Sequence, residues 1–121
     1  MSLNAIDTHT ENLPFEVTPY SVTIGGEVSG IDLRQPINDE QVAGLRAALL
    51  DRKVLFFRDQ EITTEQHLDF ARNFGELEVH PFAPHKDGYP EVLAITHNID
   101  RPGQENGWHS DVTWRLEPSL G

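Results

Sequence analysis

The chain has 121 residues, 37% of them hydrophobic and 24% charged, which describes a globular protein with a modest core. Its formal net charge of −11, with nine Lys and Arg scattered singly, excludes nucleic acid and anionic membrane as expected partners, since neither polyanion is attracted without a basic face. Cys is absent, which excludes disulfides and thiolate metal sites; without a membrane-length apolar window or a signal-peptide pattern, the expected location is the cytoplasm.

Residues 1–13 (MSLNAIDTHTENL) are polar and patternless, and a frayed tail is expected there. Val17, Tyr20, Val22 and Ile24 alternate imperfectly until Gly25-Gly26 breaks the run. Val28, Ile31 and Leu33 follow around Gly30, so short strands joined by tight turns are predicted. Asn38 is placed to cap a helix, with Asp39 and Glu40 at the positive end of the dipole and Gln41 closing a capping box. Val42, Leu45, Leu49 and Leu50 supply its apolar stripe, and the helix should end near Asp51. Val54 to Phe57 reads as a buried strand. A second helix opens at Thr63 with Gln66 three residues on, an inner face of His67, Phe70, Ala71 and Phe74, and Gly75 as its stop. A Pro- and His-rich loop spans residues 80–90, Val92 to Thr96 reads as a strand, and a final strand carries "ENGWHSDVTW", residues 105–114. The predicted strands are too few to close a sheet on themselves, so their apolar faces are expected to need further polypeptide.

On that last strand His109 and Asp111 would project from one face about 7 Å apart, close enough to share an ion. An imidazole and a carboxylate are two thirds of the 2-His-1-carboxylate triad that holds non-haem Fe(II) with open positions. A co-substrate can chelate through two of those positions and leave the last for dioxygen. Trp108, Val112 and Trp114 would supply an apolar surround. Spacing alone leaves a solvent-facing polar pair as the competing reading, because no second histidine pair has ligand spacing. Gly25, Gly26 and Gly30 read as turn formers, since no helix N-terminus follows them at phosphate-binding spacing.

Five blocks then carry a resemblance: "IGGEVSGIDL" (24–33), "VLFFRDQEIT" (54–63), "FARNFGELEVHP" (70–81), "THN" (96–98) and "WHSDVTW" (108–114). From about Val17 onward the chain resembles the N-terminal part of the taurine dioxygenase family of Fe(II)- and 2-oxoglutarate-dependent oxygenases. The resemblance implies a mainly β, α+β fold, the N-terminal portion of a double-stranded β-helix (jelly-roll) oxygenase domain covering residues 14–121, with the remainder outside this sequence. It implies that His109 and Asp111 are iron ligands, that 2-oxoglutarate and O2 are co-substrates, and that a small organic acid is hydroxylated while succinate and CO2 are released. For a sulfonate, the hydroxylated product would collapse to an aldehyde and sulfite. The family commonly forms homo-oligomers, so a homo-oligomer is the implied assembly.

His80 matches the histidine that contacts the substrate sulfonate in taurine dioxygenases; a histidine capping its own loop beside Pro81 is the structural alternative. Two positions depart from the pattern. Ala83 stands where those enzymes have a pocket tyrosine, and Glu105, with Asn106 beside it, stands where an asparagine helps hold the amine. Both changes alter pocket volume and charge, which favours a sulfonate or related small acid over taurine itself. The family's distal histidine and 2-oxoglutarate-clamping arginine fall beyond residue 121. By itself, then, a 121-residue polypeptide is expected to be inactive, and the alternative reading is a truncated fragment that binds metal weakly or serves only in interactions.

Overall fold

A computed structural model describes residues 13–100, 102–103 and 107–120. They form strands β1 (Glu16–Pro19) and β2 (Gly26–Ser29), helix α1 (Asp39–Arg52), strand β3 (Leu55–Phe57), helix α2 (Thr64–Arg72), and strands β4 (His85–Lys86) and β5 (Tyr89–Leu93). The chain divides into two compact units, one up to Glu76 and one from Leu77. The expected β-dominated balance gives way to a mixed α+β arrangement, because the two helices, of 14 and 9 residues, hold more of the described chain than the short strands do. No described helix is long and apolar enough to cross a membrane.

In the first unit β1 pairs antiparallel with β2, and β2 pairs parallel with β3, so α1 serves as the crossover between parallel neighbours. Gly25 lies at φ +88°, a conformation that favours glycine, and its carbonyl accepts from Tyr20 N–H at 2.9 Å to close the loop between β1 and β2. Gly25 and Gly26 N–H then donate to the carbonyls of Arg52 and Val54 at 2.8 and 2.9 Å, fastening the start of β2 to the end of α1.

Both helices start where their capping residues dictate. Asn38 and Thr63 each accept from the N–H three residues on, while Gln41 and Gln66 reach back to the cap N–H, so both capping boxes are complete. Helix α2 ends through the Asn73 side chain, whose amide donates to the carbonyls of Asp69 and Phe70 at 3.0 Å; the expected stop at Gly75 lies two residues past that cap. The core gathers Phe15, Val28, Ile31, Leu33 and Leu45, with Phe57, Phe70 and Phe74 packed against it. Leu13, placed by the sequence in the frayed tail, is half-buried against this core; residues 1–12 lie outside the described part. Gln60 bridges the loop after β2, donating to Ile31 O and accepting from Leu33 N–H at 3.2 and 3.0 Å.

The inner face of α1 is Gly44, Leu45, Ala48 and Arg52, while Leu50 is exposed. Gly44 is in that set because a Cβ there would sit 3.0 Å from both Leu13 and Phe15. Gly26 is tighter still: a Cβ would lie 2.8 Å from Val17 Cγ1 and 3.2 Å from Arg52 Cγ. A valine side chain has little rotameric room to retreat. Gly26→Ala is therefore expected to cost about 1–3 kcal/mol of stability by overpacking, read as a lowered urea midpoint; an unchanged midpoint would show that β1 and α1 yield freely.

The second unit contains one hairpin, β4–β5, turned by Asp87-Gly88 with Gly88 at φ +79°. Its second strand ends at Leu93, so the strand expected over Val92–Thr96 is displaced toward the turn. Of the strand expected over 105–114, residues 105–106 lie outside the described residues; 107–110 are irregular with a bend at Trp108, and 111–114 form a turn that continues into bends to residue 117. A strand needs a neighbour to take its N–H and C=O groups, and no pairing is found for this segment among the described residues.

Candidate metal and substrate site

Turn geometry brings together the two residues that the strand was expected to align. With Asp111 in the turn and Val112 at φ +54°, His109 Nε2 lies 3.0 Å from Asp111 Oδ1. The opposite ring nitrogen, Nδ1, is 2.8 Å from the Gly107 carbonyl. A carbonyl can only accept, so the hydrogen sits on Nδ1 and the pair contact orients Nε2 toward the carboxylate. The Gly107 bond, and after it the negative charge of Asp111, raise the His109 pKa above its ordinary value. Both side chains are exposed, so solvent can reach the point on which they converge. This donor set suits a divalent cation of the first transition row: one imidazole nitrogen, one carboxylate oxygen, and an outer carbonyl fixing the ring. Among the described residues no third His, Asp or Glu joins them.

His80 sits in the loop before β4. Its Nδ1 accepts from Ala83 N–H at 3.0 Å and from Phe82 N–H at 3.4 Å, so the histidine does cap its own loop. The consequence is chemical as well as structural. With Nδ1 occupied as an acceptor, the neutral ring carries its proton on Nε2, a donor aimed away from the loop. Phe82 and Trp114 stand edge-on to the ring, with centroids at 5.0 and 6.1 Å. His80, Ala83, Glu78, Glu91, Val112 and Trp114 are among the residues lining a cavity of about 240 Å³. Ala83 is among the residues that line this cavity. Glu105 and Asn106 lie outside the described residues.

Sequence reasoning passed over Glu78, Arg115 and Ser119. Glu78 Oε1 is 2.8 Å from Arg115 Nη2, and Glu78 Oε2 accepts from Ser119 Oγ at 2.9 Å. Pairs separated by 37 and 41 positions leave no short-range signal in a sequence. A second cavity, of about 280 Å³, lies in the first unit between residues 33–37 and α2. It has no imidazole in its lining, and its arginine, Arg34, is held by Asp32 at 2.8 Å; the same arginine holds the Asp32 pKa down at about 2. Chemistry points to the cavity in the second unit.

Residues 16–121 match the family model described as taurine catabolism dioxygenase TauD, TfdA family. An alpha-ketoglutarate-dependent sulfate ester dioxygenase of Pseudomonas putida is 35% identical over 116 residues, covering 94% of this chain and 38% of that protein. An alkylsulfatase of Acinetobacter baylyi is 39% identical over 93 residues, 75% of this chain and 28% of the relative. Among solved structures, a taurine dioxygenase from Burkholderia xenovorans superimposes with a TM-score of 0.71 at 43% identity, covering 86% of this chain and 37% of the other. A structure of AAD-2 in complex with Mn(II) and N-oxalylglycine matches with a TM-score of 0.52 at 38% identity over 53% of this chain. The chain thus spans well under half the length of each of these curated relatives.

Proposed function

We propose, from the premise that the chain belongs to the taurine catabolism dioxygenase TauD, TfdA family, that it is part of an Fe(II)- and 2-oxoglutarate-dependent dioxygenase acting on a small organic acid of the sulfonate or sulfate ester class. The fold of that enzyme is the double-stranded β-helix, with residues 14–121 forming part of a single dioxygenase domain. The observation that carries the reading is the convergence of His109 Nε2 and Asp111 Oδ1 at 3.0 Å. The relatives named for alpha-ketoglutarate-dependent reactions support the co-substrate, and the Mn(II) complex supports a divalent metal.

In this mechanism His109 and Asp111 hold the metal. Iron held by His109 and Asp111, with 2-oxoglutarate and O2, would supply the oxidising chemistry that hydroxylates the substrate and yields succinate and CO2. Gly107 O keeps the His109 ring turned so that Nε2 remains available to the metal. His80 holds the acid end of the substrate by donating from Nε2 to an anionic oxygen, because the loop amides of Phe82 and Ala83 already occupy Nδ1. Trp114 and Val112 form the apolar wall, and Ala83 leaves room that a larger side chain would fill. A carboxylate, Glu91, also lines the cavity and disfavours a second anionic group on the substrate.

The test uses the full-length protein with Fe(II), 2-oxoglutarate and separate alkyl sulfonates, alkyl sulfate esters and phenoxy acids. Succinate should form with at least one sulfonate or sulfate ester and should require added Fe(II). Succinate with phenoxy acids alone would overturn the substrate class, and no succinate with any acid would overturn the activity.

A further inference from the structure

We propose that Glu78 is a positioning residue that holds the candidate metal-binding turn in register with the substrate-binding His80, an inference that rests on the functional reading above. Glu78 lies two residues before His80, and it spends both carboxylate oxygens on the far segment. One takes the Arg115 guanidinium at 2.8 Å and the other the Ser119 hydroxyl at 2.9 Å. Arg115 follows Trp114 directly, and Trp114 stands edge-on to His80 at 6.1 Å. Two anchors thus fix the C-terminal flank of the segment carrying His109 and Asp111 to the irregular segment that leads into His80, with an aromatic contact between them.

The Glu78 side chain is 27% exposed and that of Arg115 50%, so the ion pair alone adds little, and the hold comes from one carboxylate making two contacts, with Arg115 and with Ser119, at once. The segment it fastens has no strand pairing of its own among the described residues. Side-chain anchors therefore do for this turn what a hydrogen-bond ladder does for a strand. Hydroxylation requires the acid end and the reacting carbon to be fixed at once. A turn released at residues 115 and 119 would still bind metal through His109 and Asp111, yet its distance to His80 would vary.

In the full-length protein, Glu78→Ala and Arg115→Met are each expected to raise the substrate KM about tenfold or more. The KM for 2-oxoglutarate should stay at the wild-type value, and more 2-oxoglutarate should be consumed per substrate hydroxylated. Amide hydrogen exchange over residues 107–120 should accelerate in both variants. The swap Glu78→Arg with Arg115→Glu, which rebuilds the pair in reverse, should recover a large part of the coupling and of the exchange protection. Wild-type KM, coupling and exchange in the single variants would overturn the proposal. So would a uniform loss of every parameter with a lowered melting temperature that the swap does not recover, since that is the mark of general scaffolding. A wild-type protein that consumes no 2-oxoglutarate with any acid would instead overturn the functional reading on which the positioning role depends.

Discussion

Replacing Asp111 by alanine in the full-length protein is expected to reduce 2-oxoglutarate-dependent succinate formation by more than about 100-fold, since losing a ligand should exceed the usual effect of losing an outer partner. The melting temperature should stay within the range of an ordinary surface change. The reason lies in the environment of the residue. The Asp111 side chain is 86% exposed and its described partner is His109, so alanine there leaves no cavity and no orphaned buried group. What is lost is one unit of negative charge at the point where an imidazole nitrogen already converges. His109→Ala should behave alike. Ser110→Ala, between them on the same turn, should keep activity close to wild type. Succinate formation that survives in either ligand variant would show that the metal is held elsewhere, and a loss at Ser110 equal to that at Asp111 would show that the turn as a whole, rather than its donors, is what matters.

The second large effect is expected in the core. Leu45 is 1% exposed and packs within the cluster of Phe15, Val28, Ile31 and Leu33. Leu45→Ala should cost about 2–5 kcal/mol, the lost transfer energy plus the cavity left behind, measured by urea unfolding followed through helical circular dichroism. Leu50, on the same helix but 68% exposed, should tolerate alanine within about 0.5 kcal/mol. Comparable losses at the two positions would mean that the outer face of α1 is also covered.

That contrast marks how far sequence periodicity reaches. The helix starts were legible because a capping box is a local device: Asn38 with Gln41 and Thr63 with Gln66 satisfy donors within one turn. The buried face of α1 was legible only in part. A hydrophobic stripe directs attention to large residues such as Leu50, whereas the close approach is made by Gly44 and Ala48, whose value lies in what they lack. The β4–β5 hairpin was written in Asp87-Gly88 and was masked by the surrounding Pro and His. His109 and Asp111 were legible as a pair through residue type and spacing, but their backbone was not. Alternating residues predict a strand only where a neighbouring strand exists, and here a turn delivers the same convergence. Glu78 with Arg115 could not be read at all, since contacts between distant positions leave no periodic trace.

The two tryptophans of the chain, Trp108 and Trp114, bracket the His109–Asp111 pair, and they are 107% and 60% exposed. The tryptophan emission of this polypeptide, excited selectively over Tyr20 and Tyr89, therefore comes from the segment around the pair and carries no signal from the first unit. An emission signal would follow events at the proposed metal-binding segment, such as quenching by an added transition ion, without any introduced label. The same fact makes emission a poor gauge of global unfolding, because the leucine core around α1 could come apart without any tryptophan to report it.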